Sequence, residues 1–144
     1  MTFEEDLKNW KAVEREFASN LMKRDVSKIE FSQWKFKEWD VKATFKKLWR
    51  DVERTFEIKN DLVSERTGNV WFEVTFNWEP SWVFASKADY IVYKLWDTFH
   101  YVDRARLLLW LASVDKDIII WWDDNKSELF IVKKEFFNAM SKEL

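Results

Sequence analysis

Residues 40–59 read most simply as two strands folded back on each other. Val41, Ala43 and Phe45 alternate with Asp40, Lys42 and Thr44, and further on Phe56 and Ile58 alternate with Glu57 and Lys59. Side chains two apart on a strand point to the same side, so each run carries one apolar and one polar face. Between the runs, Leu48-Trp49-Arg50-Asp51 suits a turn. With Trp49 and Arg50 as a two-residue loop, Leu48 pairs with Asp51, Asp40 stands opposite Lys59, and Glu57 is its diagonal neighbour. A loop with an odd number of residues would turn Asp40 to the other face; a four-residue loop keeps the facing and shifts the pairing.

The chemistry open to such a hairpin follows from its residue types. Two carboxylates with converging oxygens can hold Mg²⁺, which takes oxygen ligands and keeps several waters that can attack a phosphodiester. A lysine alongside can stabilise developing phosphate charge or orient the water. The plainer reading is a solvated face on which Lys42 and Glu57 form a cross-strand ion pair.

The rest of the chain supplies a frame for one domain, residues 1–144, long enough to bury a real core. Thr2 with Glu5 forms a capping-box pattern, and Phe3, Leu7, Trp10, Val13, Phe17 and Leu21 recur at helical spacing. Glu14 sits at the edge of that apolar stripe, with Glu16 a competing carboxylate. Residues 25–36 read as a strand, 60–69 as a polar connection, and 70–77 as the clearest strand, its polar face carrying Glu73. Strands follow at 90–93, 99–102, 118–120 and 129–132, with a capped helix from Asp103 and a terminal helix over 134–144. The expected class is α/β or α+β: a mixed sheet with a helix at each end and one near the middle. His100 is the single histidine, so no zinc site follows from it.

Several of these segments resemble one nuclease superfamily. Asp40 followed by Glu57-Ile58-Lys59-Asn60-Asp61 looks like the PD-(D/E)xK pattern, and Thr67-Gly68-Asn69, Glu73, Pro80-Ser81-Trp82 and Lys87-Ala88-Asp89-Tyr90 resemble elements of its small phage and prokaryotic members. The resemblance covers roughly residues 10–135. It implies a restriction-endonuclease-like mixed central sheet flanked by helices and Mg²⁺-dependent hydrolysis of DNA, with Mn²⁺ as substitute. Asp40 and Glu57 would be the metal ligands and Lys59 the helper of the attacking water. Glu14, next to Arg15, would be an extra carboxylate like that on the first helix of resolvase-like members. Thr67, Asn69, Ser81 and Lys87 would then contact the substrate, with Glu73 and Asp89 behind the site, and a homodimer is an option because many members dimerise. Such a protein is expected in the cytoplasm, the host's if the source is a phage or mobile element. A DNA-binding accessory protein without activity, and an interaction module with an accidental match, are the alternatives.

One departure from that pattern is Trp82, where the family has glycine, and it points to an oddity of composition. The chain has 11 Trp and one Gly, against on the order of 10 Gly at the usual ~7%. Trp49, Trp78, Trp82, Trp121 and Trp122 fall in or beside turn-like segments that favour a residue tolerant of positive φ, where Trp is poor. UGA codons meaning glycine but rendered as tryptophan would explain this; a Trp-rich core or aromatic binding surface is the competing explanation. A net charge of −2 does not advertise nucleic-acid binding, yet Lys35, Lys37, Lys42, Lys46, Lys47, Arg50 and Arg54 concentrate around the hairpin. No cysteine is present, so disulfides and thiolate metal sites are excluded. The most apolar segment, 107–112, is far too short to span a membrane.

Overall fold

A computed structural model describes residues 3–32, 38–60, 64–81, 83–122 and 126–144. In chain order the elements are α1 (Phe3–Leu21), β1 (Val26–Phe31), β2 (Val41–Lys46), β3 (Asp51–Asn60), α2 (Ser64–Thr67), β4 (Asn69–Phe76) and β5 (Glu79–Pro80). They continue with β6 (Tyr90–Leu95), β7 (Thr98–Asp103), α3 (Arg104–Ser113), β8 (Asp117–Trp122), β9 (Lys126–Lys133), α4 (Lys134–Met140) and β10 (Lys142–Glu143). The class is mixed α and β, as the periodicities imply. The sheet is not single, however. Six strands pair in the order β1-β2-β3-β6-β7-β10, and four more form a second sheet, β5-β4-β9-β8. Alternation marks 70–76 as a strand but says nothing of its partner, and that partner is β9, far along the chain.

In the large sheet β3 runs parallel to β6 while the neighbouring pairings are antiparallel, which makes the sheet mixed. Ile91, Val92 and Tyr93 of β6 are all fully buried. A strand buried on both faces needs an unbroken apolar run, and Tyr90-Ile91-Val92-Tyr93 provides one. On one face lies α1, whose Val13, Phe17 and Leu21 follow at four-residue intervals and pack with Val41, Ala43, Phe56, Val92 and Phe99. The Phe17 ring meets Phe56 and Phe99 edge-on at 5.1 and 5.4 Å. The opposite face, with β4 of the second sheet, α3 and α4, encloses Phe72, Ile91, Tyr93, Leu107, Leu111 and Phe137.

Asp103 caps α3 as the sequence suggests, its carboxylate accepting from the Arg106 N–H at 3.0 Å. The terminal helix is shorter than expected. It stops at Met140, where Ser141 is extended and its hydroxyl donates to the Phe137 carbonyl at 2.8 Å; Lys142 and Glu143 then pair with β7. Thr67-Gly68-Asn69 is the end of α2, with Gly68 at φ 72° and its N–H donating to the Ser64 carbonyl at 2.8 Å. The capping-box Thr2, Phe36 at the end of the expected first strand, the Trp82 position and the turn at 123–125 lie outside the described residues, as do the side chains of Trp121 and Trp122.

Three non-glycine residues among those described have left-handed backbone: Asn77 (φ 49°), Trp78 (φ 70°) and Trp96 (φ 60°). Both tryptophans are exposed, at 74% and 54%. Trp49 is 94% exposed but is not left-handed, so exposure alone sets it apart from a core residue.

Candidate functional site

The β2–β3 hairpin closes differently from the two-residue loop. Lys46 pairs with Asp51, and the Lys47 N–H donates to the Arg50 carbonyl at 3.1 Å across a four-residue loop. The ladder keeps one register from Lys46–Asp51 to Val41–Phe56, and Asp40 lies just beyond it with its N–H on the Phe56 carbonyl, out of step with that register, as at a β-bulge. The pairing of Asp40 with Lys59 is therefore corrected. Within the ladder the parity survives, because Lys46 and Asp51 flank an even number of loop residues, so Val41 and Phe56 share a face.

Asp40 is the most buried acidic residue described, at 1% exposure. Its backbone N–H donates to the Phe56 carbonyl at 2.8 Å, and its carbonyl accepts from Ser32 at 3.0 Å. One carboxylate oxygen accepts from the Ile58 N–H at 2.6 Å. That donor belongs to the residue between Glu57 and Lys59, so the side chain takes the place a strand carbonyl would occupy. A short, charge-assisted bond of this kind fixes the carboxylate's orientation.

Glu57 is half-buried and accepts from the Ser86 hydroxyl at 3.4 Å; that hydroxyl itself accepts from the Ala88 N–H at 3.1 Å. Ser86 is a residue that sequence reasoning passed over. It lies in the segment entering β6, and it reaches Glu57 because β6 runs parallel beside β3, with Ile91 next to Glu57. Ser86→Ala is expected to leave the melting temperature within about 2 °C while lowering affinity for a divalent ion several-fold. Calorimetric titration with Mn²⁺ would check this.

Glu57 and Lys59 share a face by parity, the Ser86 hydroxyl is bonded to Glu57, and the Asp40 carboxylate is bonded to the N–H of the intervening Ile58. Helix α1 covers the other face, so Glu14, half-buried on it, comes from the opposite layer. The competing Glu16 is bound to Lys94 at 2.7 Å. Among the described residues no three His, Cys, Asp or Glu side chains stand together as a metal cluster.

Thr67 accepts from the Asn69 N–H at 3.2 Å, and Asn69 opens β4 against Lys133. The Ser81 N–H donates to the Val74 carbonyl at 2.9 Å. Lys87 meets Glu38 at 3.3 Å on an exposed surface, a contact worth little in water. Glu73 lies on β4 between the inward Phe72 and a bulge, and accepts from Ser127 across the ladder at 3.4 Å. Asp89 supports the site's strand. It accepts from the N–H and hydroxyl of Thr55 at 2.9 and 3.2 Å, while its own N–H donates back to that hydroxyl at 3.0 Å.

His100, on β7, sits beside Phe137 with ring centroids 6.3 Å apart. Burial holds its pKa below the usual 6.5, with Glu143 pulling it up and Lys134 pushing it down. The unfolded chain therefore binds the proton more readily, so this residue's contribution to stability is present above pH 6.5 and lost as pH falls below it. In His100→Gln the acid-side fall in melting temperature just below pH 6.5 is expected to be shallower than in the parent.

No helix among the described residues is long and apolar enough to cross a membrane. Comparison of the chain with protein-family models, with curated proteins and with solved structures finds no match.

Proposed function

We propose that this chain is a metal-dependent nuclease that hydrolyses DNA phosphodiesters at the Asp40–Glu57 hairpin. The observation that carries the reading is the bond between Asp40 and Ile58: the buried Asp40 carboxylate accepts from the backbone N–H that lies between Glu57 and Lys59, so one hairpin supplies all three groups. The mixed sheet, with β3 flanked by antiparallel β2 and parallel β6, supports it at the level of fold.

The donor set fits Mg²⁺, a hard cation usually held by one or two carboxylates with water filling the other positions. Asp40 and Glu57 would hold it, and the bound ion would supply Lewis acidity and a more acidic water. The chain's own contribution is positioning. The Ile58 N–H keeps one oxygen of Asp40 turned to the strand, Ser86 steadies Glu57, and the Thr55–Asp89 clamp fixes the approach of β6 to β3. Lys59 brings positive charge to a phosphate lying along this face.

Supercoiled plasmid incubated with the protein and Mg²⁺ or Mn²⁺ is expected to be nicked, and Lys59→Ala to slow nicking by on the order of 10²-fold. DNA binding without metal-dependent nicking would favour an accessory protein of the same fold. Absence of DNA affinity even at low salt would leave only an interaction module.

A further inference from the structure

We infer that residues 78 and 96 are glycine in the protein as its source makes it, through UGA codons that mean glycine there. The two tryptophans in question occupy the two-residue loops of tight hairpins. Phe76 pairs with Glu79 around Asn77-Trp78, both with positive φ. That is a type I′ turn, whose preferred sequence is Asn-Gly. Leu95 pairs with Thr98 around Trp96-Asp97, with positive φ at the first loop residue alone. That is the backbone of a type II′ turn, which takes glycine at its first position. Two different turn types thus ask for glycine at the positions holding Trp.

The rival explanation, an aromatic binding surface, accounts for exposed rings but not for left-handed backbone, which a large side chain resists. Elsewhere the indole also fits badly: the Trp71 Nε1 on β4 is buried with no hydrogen-bond partner. Trp110 shows the contrast, its ring packed against Phe72 and Phe137 in the middle of α3.

The coding DNA is expected to read TGA at codons 78 and 96, and peptides from the native source to have the mass of glycine there; TGG at both codons overturns the inference. Independently, the Trp78→Gly, Trp96→Gly double variant is expected to melt roughly 5 °C higher than the parent. A lower or unchanged melting temperature would contradict the turn geometry.

A separate site lies on the α1 face of the large sheet. Arg24, just beyond α1, Lys47, just beyond β2, and Arg54 on β3 surround a cavity of about 300 Å³ walled by Phe45, Tyr90 and Tyr101. No Asp or Glu side chain lines it, Leu144 with its carboxylate being the one lining residue that brings negative charge, and among the described residues none of the three cations is ion-paired. Arg54 donates only to the Glu53 carbonyl, at 2.9 Å, and Lys47 lies 6.0 Å from the Phe45 ring. In a chain with 26 acidic residues, a pocket with three cations and none of those acids selects for an anion. Its aromatic wall selects for a flat ring, and its volume is near the lower end for small-molecule sites. We propose that it binds a single nucleotide, with phosphate among the cations and base against the rings.

Titrations of the full chain without divalent metal separate this from the nuclease reading, and the Glu57→Ala protein should bind equally well. Adenosine monophosphate is expected to bind at least tenfold more tightly than adenosine. The Lys47→Ala, Arg54→Ala double variant, which changes two exposed side chains, is expected to lose tenfold or more. Equal affinity for nucleotide and nucleoside, or an unaffected double variant, would overturn the proposal. A 5′-phosphorylated oligonucleotide binding more tightly than the monophosphate assigns the natural ligand to a strand end, and weaker binding assigns it to the free nucleotide.

Discussion

Glu57→Ala is expected to lower metal-dependent cleavage by on the order of 10³-fold while leaving the fold intact, because this side chain is only half-buried and its bond with the Ser86 hydroxyl is long, at 3.4 Å. Asp40 separates the two roles more sharply. Asp40→Asn keeps the size of the side chain and an oxygen to accept the Ile58 N–H, so it should melt close to the parent and yet lose cleavage as fully as Glu57→Ala. Asp40→Ala removes the acceptor as well. The Ile58 N–H then lacks its partner at a site with 1% exposure, at a cost of about 1–3 kcal/mol in addition to the lost activity. If Asp40→Asn cleaves normally, Asp40 is only a strand cap and the site is wrongly assigned. Thermal melts with plasmid nicking on the three variants distinguish these outcomes.

The largest effect on stability is expected at Phe137. Its ring is fully buried and meets Tyr93 at 5.2 Å, Phe72 at 5.8 Å and Trp110 at 6.0 Å, so one residue of α4 joins β6, β4 and α3. Phe137→Ala removes those contacts and opens a cavity that rigid strands cannot fill, at about 3–5 kcal/mol. Against a usual total of roughly 5–15 kcal/mol, that is a large fraction. The melting temperature should fall by roughly 10 °C. The adjacent Phe136, 39% exposed, should cost far less when changed to Ala, and comparable losses at both positions would contradict this account of the core.

What could be read from the residues divides along the same physical line. Period-two and helical patterns are local, so the bodies of α1, β2, β3, β4, β6, β7 and α3 are legible in the sequence. Pairing is not local. Nothing in Val70-Trp71-Phe72 announces a second sheet with β9, and nothing in Lys47-Leu48-Trp49-Arg50 distinguishes a four-residue loop from a two-residue one. Hence parity could propose Asp40 and Glu57 for one face, while the bond from the Ile58 N–H to the Asp40 carboxylate needed the structure. Ser86 escaped notice because the parallel step from β3 to β6 brings it to Glu57 across 29 residues of chain. The resemblance proposed substrate contacts at Thr67 and Ser81; in the fold the Thr67 hydroxyl accepts from the Asn69 N–H and the Ser81 backbone N–H donates to the Val74 carbonyl of β4. The glycine-like positions were legible from composition. Of the positions singled out there, Trp78 is left-handed and Trp49 is not, and the left-handed Trp96 was not among them.

The central claim is that Asp40 and Glu57 together hold one divalent ion. Mn²⁺ binding, followed by electron paramagnetic resonance on the Trp78→Gly, Trp96→Gly protein and on its Asp40→Asn and Glu57→Ala derivatives, tests it without requiring the right DNA substrate. One bound ion in the parent, weakened at least tenfold by either substitution in proteins that still melt cooperatively, is the predicted result. An ion that binds equally well without either carboxylate, or no binding at millimolar Mn²⁺ by the folded parent, would contradict it.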